Sequence, residues 1–468
     1  MFNPTAEQVA CLNAAISGNS LVINAFAGTG KTSTLQYITN NYYKKTLYVA
    51  FNKTAAEEAA KKFPKHVECR TLHSLAYQAI CKGSPYGKRL QNWVEYKEVN
   101  ALCASLTVKE KVNDLVANAL VIVKEFCNSD DSSIVIPEAD KDNLWLQATY
   151  TAAQRIWSSW SNPRETTKII HDVYFKLWQL NKPRLNYDLI LLDEAQDSNP
   201  ATIDVIRQQF SQVILVGDKY QSIYAWRGAV NAMDALPDLQ TLYLTESFRF
   251  NQDIADKANV LLAAMGSTVS MKGVGGNDRT DQATLVRTNF GLVQLMQQYA
   301  AAGQTMYVEA DLKELWSAVY TANAMRFAND GKVEWPKWPS KAIQSYGTWM
   351  ALMESKDNDV VRLVKLVQSG FGHKDIQQIK CLLTEDRLKA DVLLCTGHKS
   401  KGLEYGVVTV GDDFLPYKYE EDGYSNHMWL EYVKEQGANL LYVAMTRATN
   451  ELIIGLGIEQ FLEEVASN

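Results

Sequence analysis

The apolar run Leu21-Val22-Ile23 leads directly into Ala25-Phe26-Ala27-Gly28-Thr29-Gly30-Lys31-Thr32, and a helix-compatible stretch follows over 33–39. A strand, a glycine-bearing turn and a helix in that order start a parallel α/β layer, with the turn at the strand's C-terminal end. Gly28 and Gly30 lack the Cβ that would keep backbone N–H groups from closing around phosphate oxygens. Lys31 adds a point charge, Thr32 a hydroxyl suited to Mg²⁺, and the helix N-terminus a partial positive charge. The string departs from G-x-x-x-x-G-K-[ST] at one place, Ala25 standing where the first glycine is expected. Residues 25–32 therefore read as a nucleoside-triphosphate loop, with a chance glycine-rich turn as the bland alternative.

Short β-branched runs alternate with helical patterns in two blocks, which predicts two sheet-bearing lobes. The first block has strands at 21–25, 46–51, 189–193, 213–217 and 241–245, the second at 283–288, 392–396, 407–411 and 452–455. Residues 83–165 carry helical periodicity and no strand pattern, so they read as a helical insertion in the first lobe. Residues 326–384 read as a smaller one in the second. Within the latter, Trp335, Lys337, Trp338 and Lys341 suggest either a rigid packed turn or a surface touching nucleic acid, with packing the preferred reading. Gly273-Val274-Gly275-Gly276 reads as a flexible loop. A chain of 468 residues with a formal charge of −6 has no uniformly basic coat, so any nucleic-acid contact must come from a local groove. Seven cysteines without a C-x-x-C pair suit reduced, mostly packed thiols rather than a zinc site. The absence of a leader-like start or a long apolar run predicts a cytoplasmic, nucleoid-associated protein, or one in a host cytoplasm if viral, with no membrane partner.

The run Leu189-Ile190-Leu191-Leu192-Asp193-Glu194-Ala195-Gln196-Asp197 delivers two adjacent carboxylates at the end of a buried-type strand, where ligands bind in open α/β sheets. Asp193 is expected to hold Mg²⁺ and Glu194 to activate water, because phosphoryl transfer needs charge neutralisation and an oriented nucleophile. A solvated acidic turn is the alternative. Val216-Gly217-Asp218-Lys219-Tyr220-Gln221-Ser222-Ile223-Tyr224-Ala225-Trp226-Arg227-Gly228 again leaves a strand, with Gln221 placed to sense phosphate and Tyr224, Trp226 and Arg227 placed to stack on and neutralise a nucleic-acid strand. Aromatics in such a loop are more often core.

Taken in order, these segments resemble the motifs of superfamily 1 helicases of the UvrD/Rep group. Asn3-Pro4-Thr5-Ala6-Glu7-Gln8 is similar to the adenine-reading segment, with Gln8 as reader against the bland alternative of a helix start with an exposed Gln. Val49-Ala50-Phe51-Asn52-Lys53-Thr54 and Thr71-Leu72-His73-Ser74-Leu75 resemble motifs that contact single-stranded DNA, implying Phe51, Asn52 and His73; without the family, Phe51 reads as core and His73 as a satisfied polar residue. Leu244-Thr245-Glu246-Ser247-Phe248-Arg249 implies Phe248 on adenine and Arg249 at the γ-phosphate. Thr396-Gly397-His398-Lys399-Ser400-Lys401-Gly402-Leu403-Glu404 implies His398 near DNA and Glu404 near the sugar. Asn439-Leu440-Leu441-Tyr442-Val443-Ala444-Met445-Thr446-Arg447 implies Arg447 as an arginine finger. Within the group, His171-Asp172-Val173-Tyr174-Phe175-Lys176-Leu177-Trp178, Arg227-Gly228-Ala229-Val230-Asn231, Ser247-Phe248-Arg249-Phe250 and Asp412-Asp413-Phe414 resemble the F-box DNA helicase family, without an F-box ahead of the motor.

The resemblance implies an α/β fold of two RecA-like parallel-sheet lobes with helical insertions: 1A over 1–82 and 166–246, 1B over 83–165, 2A over 247–325 and 385–468, and 2B over 326–384. It implies an ATP- and Mg²⁺-dependent, monomeric DNA helicase that grips the nucleotide across its lobes and travels 3′ to 5′ on single-stranded DNA. Its DNA targets would be single strands and their junctions with duplex, in replication, recombination or repair. The alternatives are a translocase that strips proteins from single strands and a nucleotide-switched binding or loading protein. A fused nuclease is not expected.

Overall fold

A computed structural model describes residues 3–107, 111–225, 228, 230–328, 332–355, 358–416 and 423–467. The chain divides into two compact units, Met1–Ala25 with Gly30–Leu244, and Phe26–Thr29 with Thr245–Asn468. Among the described residues no helix is long and apolar enough to cross a membrane. The seven cysteines are free thiols, Cys381 exposed and most of the others buried.

The first unit holds β1 (Leu21–Ala25), β2 (Thr46–Val49), β3 (Val67–Arg70), β4 (Leu189–Leu192), β5 (Gln212–Gly217) and β6 (Gln240–Leu244). They form one six-stranded sheet in the order β3-β2-β4-β5-β1-β6. Every adjacent pair is parallel. The period-2 rule sorts the side chains cleanly. Leu21, Ile23, Tyr48, Leu189, Leu191, Ile214 and Val216 enter one core, with Leu35 and Ile38 of the helix Lys31–Asn41. Val22, Leu47, Val49, Ile190, Leu192 and Leu215 enter the opposite core, with Phe175 and Trp178 of the helix His171–Leu180. Burial on both faces is why β1, β2 and β4 are buried at every residue and mostly apolar, with Asn24 and Thr46 the polar exceptions.

The strand β3, not anticipated, lies at the sheet edge, where only Val67 of Val67-Glu68-Cys69-Arg70 is buried. β2 stops at Val49, short of the expected 51.

The segment 83–165 is helical, as its periodicity indicated. Helices Tyr96–Cys103, Val112–Asn128 and Leu144–Ser161 close around Leu115, Val116, Ile156 and Trp160. Its return to the sheet is clamped by Arg89, 4% exposed, whose guanidinium donates to the carbonyls of Thr167 (2.7 Å), Asn162 (2.7 Å), Ser159 (3.1 Å) and Trp160 (3.3 Å). Arg89→Ala would leave several buried carbonyls unpaired, and a loss of about 3 kcal/mol is expected, read from the urea midpoint at unchanged slope. A loss below about 1 kcal/mol would show that water replaces the clamp.

Lys176, also buried, donates to the carbonyls of Ser129 (2.8 Å) and Asp131 (2.6 Å) with its ammonium 4.3 Å from the Phe126 ring centre. Burial pulls its pKa down to about 8 against the attraction of nearby anionic groups.

In the second unit, Glu246–Ser247 (β7) pairs with Lys272–Gly273 (β8). The five-stranded sheet runs β10-β11-β9-β12-β13, with β9 Gln282–Val286, β10 Met306–Glu309, β11 Val392–Thr396, β12 Tyr405–Val410 and β13 Ala448–Ile454. All its pairs are parallel. Here too the unanticipated strand, β10, is an edge strand, with only Met306 buried.

Three expectations for this unit need correction or refinement. The glycine segment at 273–276 is not a free loop: Val274 N–H donates to Ser247 O (2.9 Å) and Gly275 N–H to Phe250 O (3.0 Å). A Cβ on Gly275 would stand 2.1 Å from the Phe248 carbonyl oxygen, so glycine there permits close backbone approach. Residues 326–384 share their core with the sheet helices, since Leu363, Val367, Ile376 and Ile379 cluster with Val293, Met296, Val319 and Ala322. The preferred packed turn at 335–338 fails for its rings: Trp338 is 76% and Trp335 42% exposed. The turn is tied by its backbone, Ser317 Oγ donating to Trp338 O at 2.7 Å, while Lys337 lies 5.7 Å over the Trp338 ring.

Candidate nucleotide and nucleic-acid sites

Parallel strands all end on one side, and the chemistry of the first unit gathers there. Gly30 caps the helix Lys31–Asn41 in the left-handed region (φ 80°). Lys31 Nζ, at the helix start, lies 2.9 Å from Glu194 Oε1. Burial works against the Lys31 charge, but the carboxylates of Glu194, Asp193 and Asp218 outweigh it and hold the ammonium above its ordinary range.

Asp193 follows the last residue of β4. Burial, reinforced by neighbouring Glu194, pushes its carboxyl up to about 6, against the pull of Lys31. Glu194 is a non-glycine residue in the left-handed region (φ 52°), a conformation that turns its backbone sharply after the strand. Its Oε2 accepts from Gln196 Nε2 at 2.5 Å, so Lys31 and Gln196 hold its two oxygens. Gln196 Oε1 in turn accepts from Asp218 N–H (3.2 Å), and Asp218 Oδ2 accepts from Gln221 Nε2 (2.7 Å). Lys31, Glu194, Gln196, Asp218 and Gln221 thus form one hydrogen-bonded chain. The Asp193 carboxylate and Thr32 hydroxyl are hard oxygen donors of the kind Mg²⁺ takes beside substrate phosphates.

Gln8 is 2% exposed, which corrects the alternative of an exposed side chain. Its Oε1 accepts from Thr5 N–H (3.0 Å) in a capping box and its Nε2 donates to Thr34 Oγ1 (3.1 Å), against the Gly30 turn.

A cavity of about 580 Å³ in this unit is lined by Asp193 and Glu194 and also by Phe51, His73 and Tyr224. Phe51 is 48% exposed rather than core, and its ring lies nearly parallel to Tyr224 (12°, centroids 6.1 Å apart). His73 lies flat on Phe175 (14°, 4.5 Å). Asn52 caps the helix Lys53–Lys62, its Oδ1 accepting from Ala55 N–H at 2.8 Å. Trp226 and Arg227 lie outside the described residues. Sequence reasoning passed over Gln196, Lys124 and Asn128. The last two line the cavity from the insertion helix Val112–Asn128, and helical spacing alone gave no sign of it.

In the second unit, Arg249 and Glu404 are brought together: Nε lies 2.7 Å from Oε1, and Arg249 Nη1 donates to Thr446 O at 2.9 Å. Arg447, 2% exposed, donates to Val443 O (2.9 Å), Thr446 Oγ1 (3.2 Å) and Leu403 O (3.4 Å). Phe248 is half-exposed, and its N–H donates to Gly28 O (2.9 Å). Ala27 N–H donates to the Tyr442 hydroxyl (3.2 Å), and Thr29 N–H and Oγ1 both donate to Phe26 O. Gly28 has φ 75°, and a Cβ there would meet Arg249 Cβ and Ser247 Oγ at 2.5 Å, so this position admits only glycine. Phe26 is fully buried, as is Ala25 at the end of β1. His398 sits in the helix Gly397–Ser400, half-buried.

The UvrD/REP helicase N-terminal domain profile matches residues 4–234, and the UvrD-like helicase C-terminal domain profile matches 341–457. The chain belongs to the UvrD/REP helicase family. This UvrD-like chain is 29% identical to F-box DNA helicase 1 of Gallus gallus over 98% of its length and 49% of that protein. It is 30% identical to F-box DNA helicase protein 1 of Schizosaccharomyces pombe over 96% of its length and 57% of that protein. It is 32% identical to ATP-dependent DNA helicase PcrA of Leuconostoc citreum over 42% of its length and 29% of that protein. The chain thus spans about half the length of the F-box relatives.

Proposed function

We propose that this chain is an ATP-driven motor on single-stranded DNA, a helicase that moves 3′ to 5′ and opens duplex. The observation that carries the reading is the cavity that Asp193 and Glu194 share with Phe51, His73 and Tyr224: two strand-end carboxylates and three aromatic rings border the same space in one sheet lobe. Lys31 and Thr32 hold the triphosphate and its Mg²⁺ with Asp193, Glu194 activates water, and the Gln196–Asp218–Gln221 chain joins the reacting end to the loop that bears Tyr224. Gln8 and Phe248 take the base, Glu404 the sugar, and Arg249 and Arg447 the terminal phosphate. For Arg447 that role requires its guanidinium to exchange backbone carbonyls for phosphate oxygens. Phe51, Asn52, His73, Tyr224, Trp226, Arg227 and His398 are the proposed contacts to the strand, with Lys124 as a further cation.

Two measurements test this. ATP turnover should rise severalfold with single-stranded DNA, and a 3′-tailed duplex should be opened in preference to a 5′-tailed one. Turnover indifferent to DNA would indicate a nucleotide switch instead, and DNA-stimulated turnover without strand displacement would indicate a protein-stripping translocase. Phe51→Ala should weaken single-strand affinity by about 5- to 150-fold, the equivalent of one lost stack of about 1–3 kcal/mol, with basal turnover unchanged. Equal loss of basal and stimulated turnover would mark Phe51 as structural.

A further inference from the structure

Tyr48 lies on β2 opposite Leu191 of β4, and its ring is 3% exposed, packed against Phe63 (4.7 Å, 37°). A buried tyrosine needs a partner for its hydroxyl. Here the partner is Asp193: the Tyr48 O–H donates to Oδ2, while Oδ1 accepts from Glu194 N–H at 2.9 Å. Asp193 N–H continues the sheet ladder to Val49 O (3.1 Å). Both carboxylate oxygens and the backbone of Asp193 are therefore held by rigid neighbours, which removes rotation of the carboxylate about its own axis. Each oxygen accepts one protein hydrogen bond and keeps a second lone pair for another contact.

We propose that Tyr48 is a positioning residue that presents the Asp193 carboxylate to Mg²⁺ in one orientation. This rests on the reading of Asp193 as a metal ligand given above. The hydroxyl does not touch nucleotide; it acts by restricting the ligand before the ion arrives, as groups bonded to metal ligands do elsewhere. A merely structural Tyr48 would affect stability and leave ion affinity alone.

The test is Mn²⁺ binding, followed by electron paramagnetic resonance, to the full chain saturated with a non-hydrolysable ATP analogue. Tyr48→Phe keeps the ring and its packing on Phe63 and removes only the hydroxyl. It should weaken Mn²⁺ binding about tenfold, with nucleotide affinity in EDTA and the thermal midpoint near those of the parent. Asp193→Asn serves as the reference and should weaken Mn²⁺ at least as much. If Asp193→Asn weakens binding and Tyr48→Phe does not, the positioning role is wrong while the metal site stands. If neither variant changes Mn²⁺ binding, the assignment of Asp193 itself is wrong, and the Tyr48 proposal goes with it.

Discussion

Lys31→Ala is expected to lower ATP turnover at least a hundredfold while single-strand affinity stays within about twofold of the parent. The physical reason is the density of negative charge around one ammonium. Lys31 Nζ is 2.9 Å from Glu194 Oε1, and Asp193 and Asp218 also raise its affinity for the proton. A triphosphate brings further negative charge into this space, and an alanine offers nothing to offset it. Carboxylates and phosphates would repel each other where the Lys31 charge is lost, so nucleotide binding as well as chemistry should suffer. Phe51, His73 and Tyr224 engage the strand by stacking in the proposed scheme, which needs no ammonium at position 31, so the strand should still bind. Turnover within tenfold of the parent would remove residues 25–32 from the phosphate site.

Glu194→Gln should separate binding from chemistry. Glutamine is nearly isosteric and can still face Lys31 and Gln196, so the local backbone, with its left-handed Glu194, has no reason to move. Loss of the carboxylate removes the proposed proton acceptor for the attacking water, and kcat should fall by about 10²- to 10⁴-fold. ATP affinity should hold or tighten, because one negative charge leaves the vicinity of the phosphates. Single-turnover hydrolysis and equilibrium nucleotide binding measured on the same preparation read the two effects separately. A kcat within fivefold of the parent would assign water activation to another group.

Most of both sheets was legible in the residues because interior strands of parallel sheets are buried on two faces and must be continuously apolar. Leu189–Leu192 could hardly be anything else. The two strands that escaped, Val67–Arg70 and Met306–Glu309, sit at sheet edges. One edge of each is unpaired, each buries a single residue, and their composition resembles that of a loop. The same logic separates the two aromatic guesses. Phe51 ends an apolar run and reads as core, yet the strand stops at Val49 and leaves its ring half-exposed beside Tyr224. Trp335 and Trp338, read as a rigid packed turn, leave their rings exposed, and the Trp338 carbonyl instead accepts from Ser317 Oγ, a contact that no composition reveals.

Local order along the chain placed the glycine-bearing turn of 25–32, the paired carboxylates and the glutamine at 221 after their strands, since each depends on residues a few positions apart on one strand-end turn. What only tertiary structure decided is how those groups are held. The Tyr48 hydroxyl reaches Asp193 across 145 positions, and Gln196 meets Asp218 across 22. Lys124 and Asn128 reach the shared cavity from a helical insertion. Such contacts come from strand order and helix packing, which juxtapose side chains by distance in space, whereas periodicity and spacing report only distance along the chain.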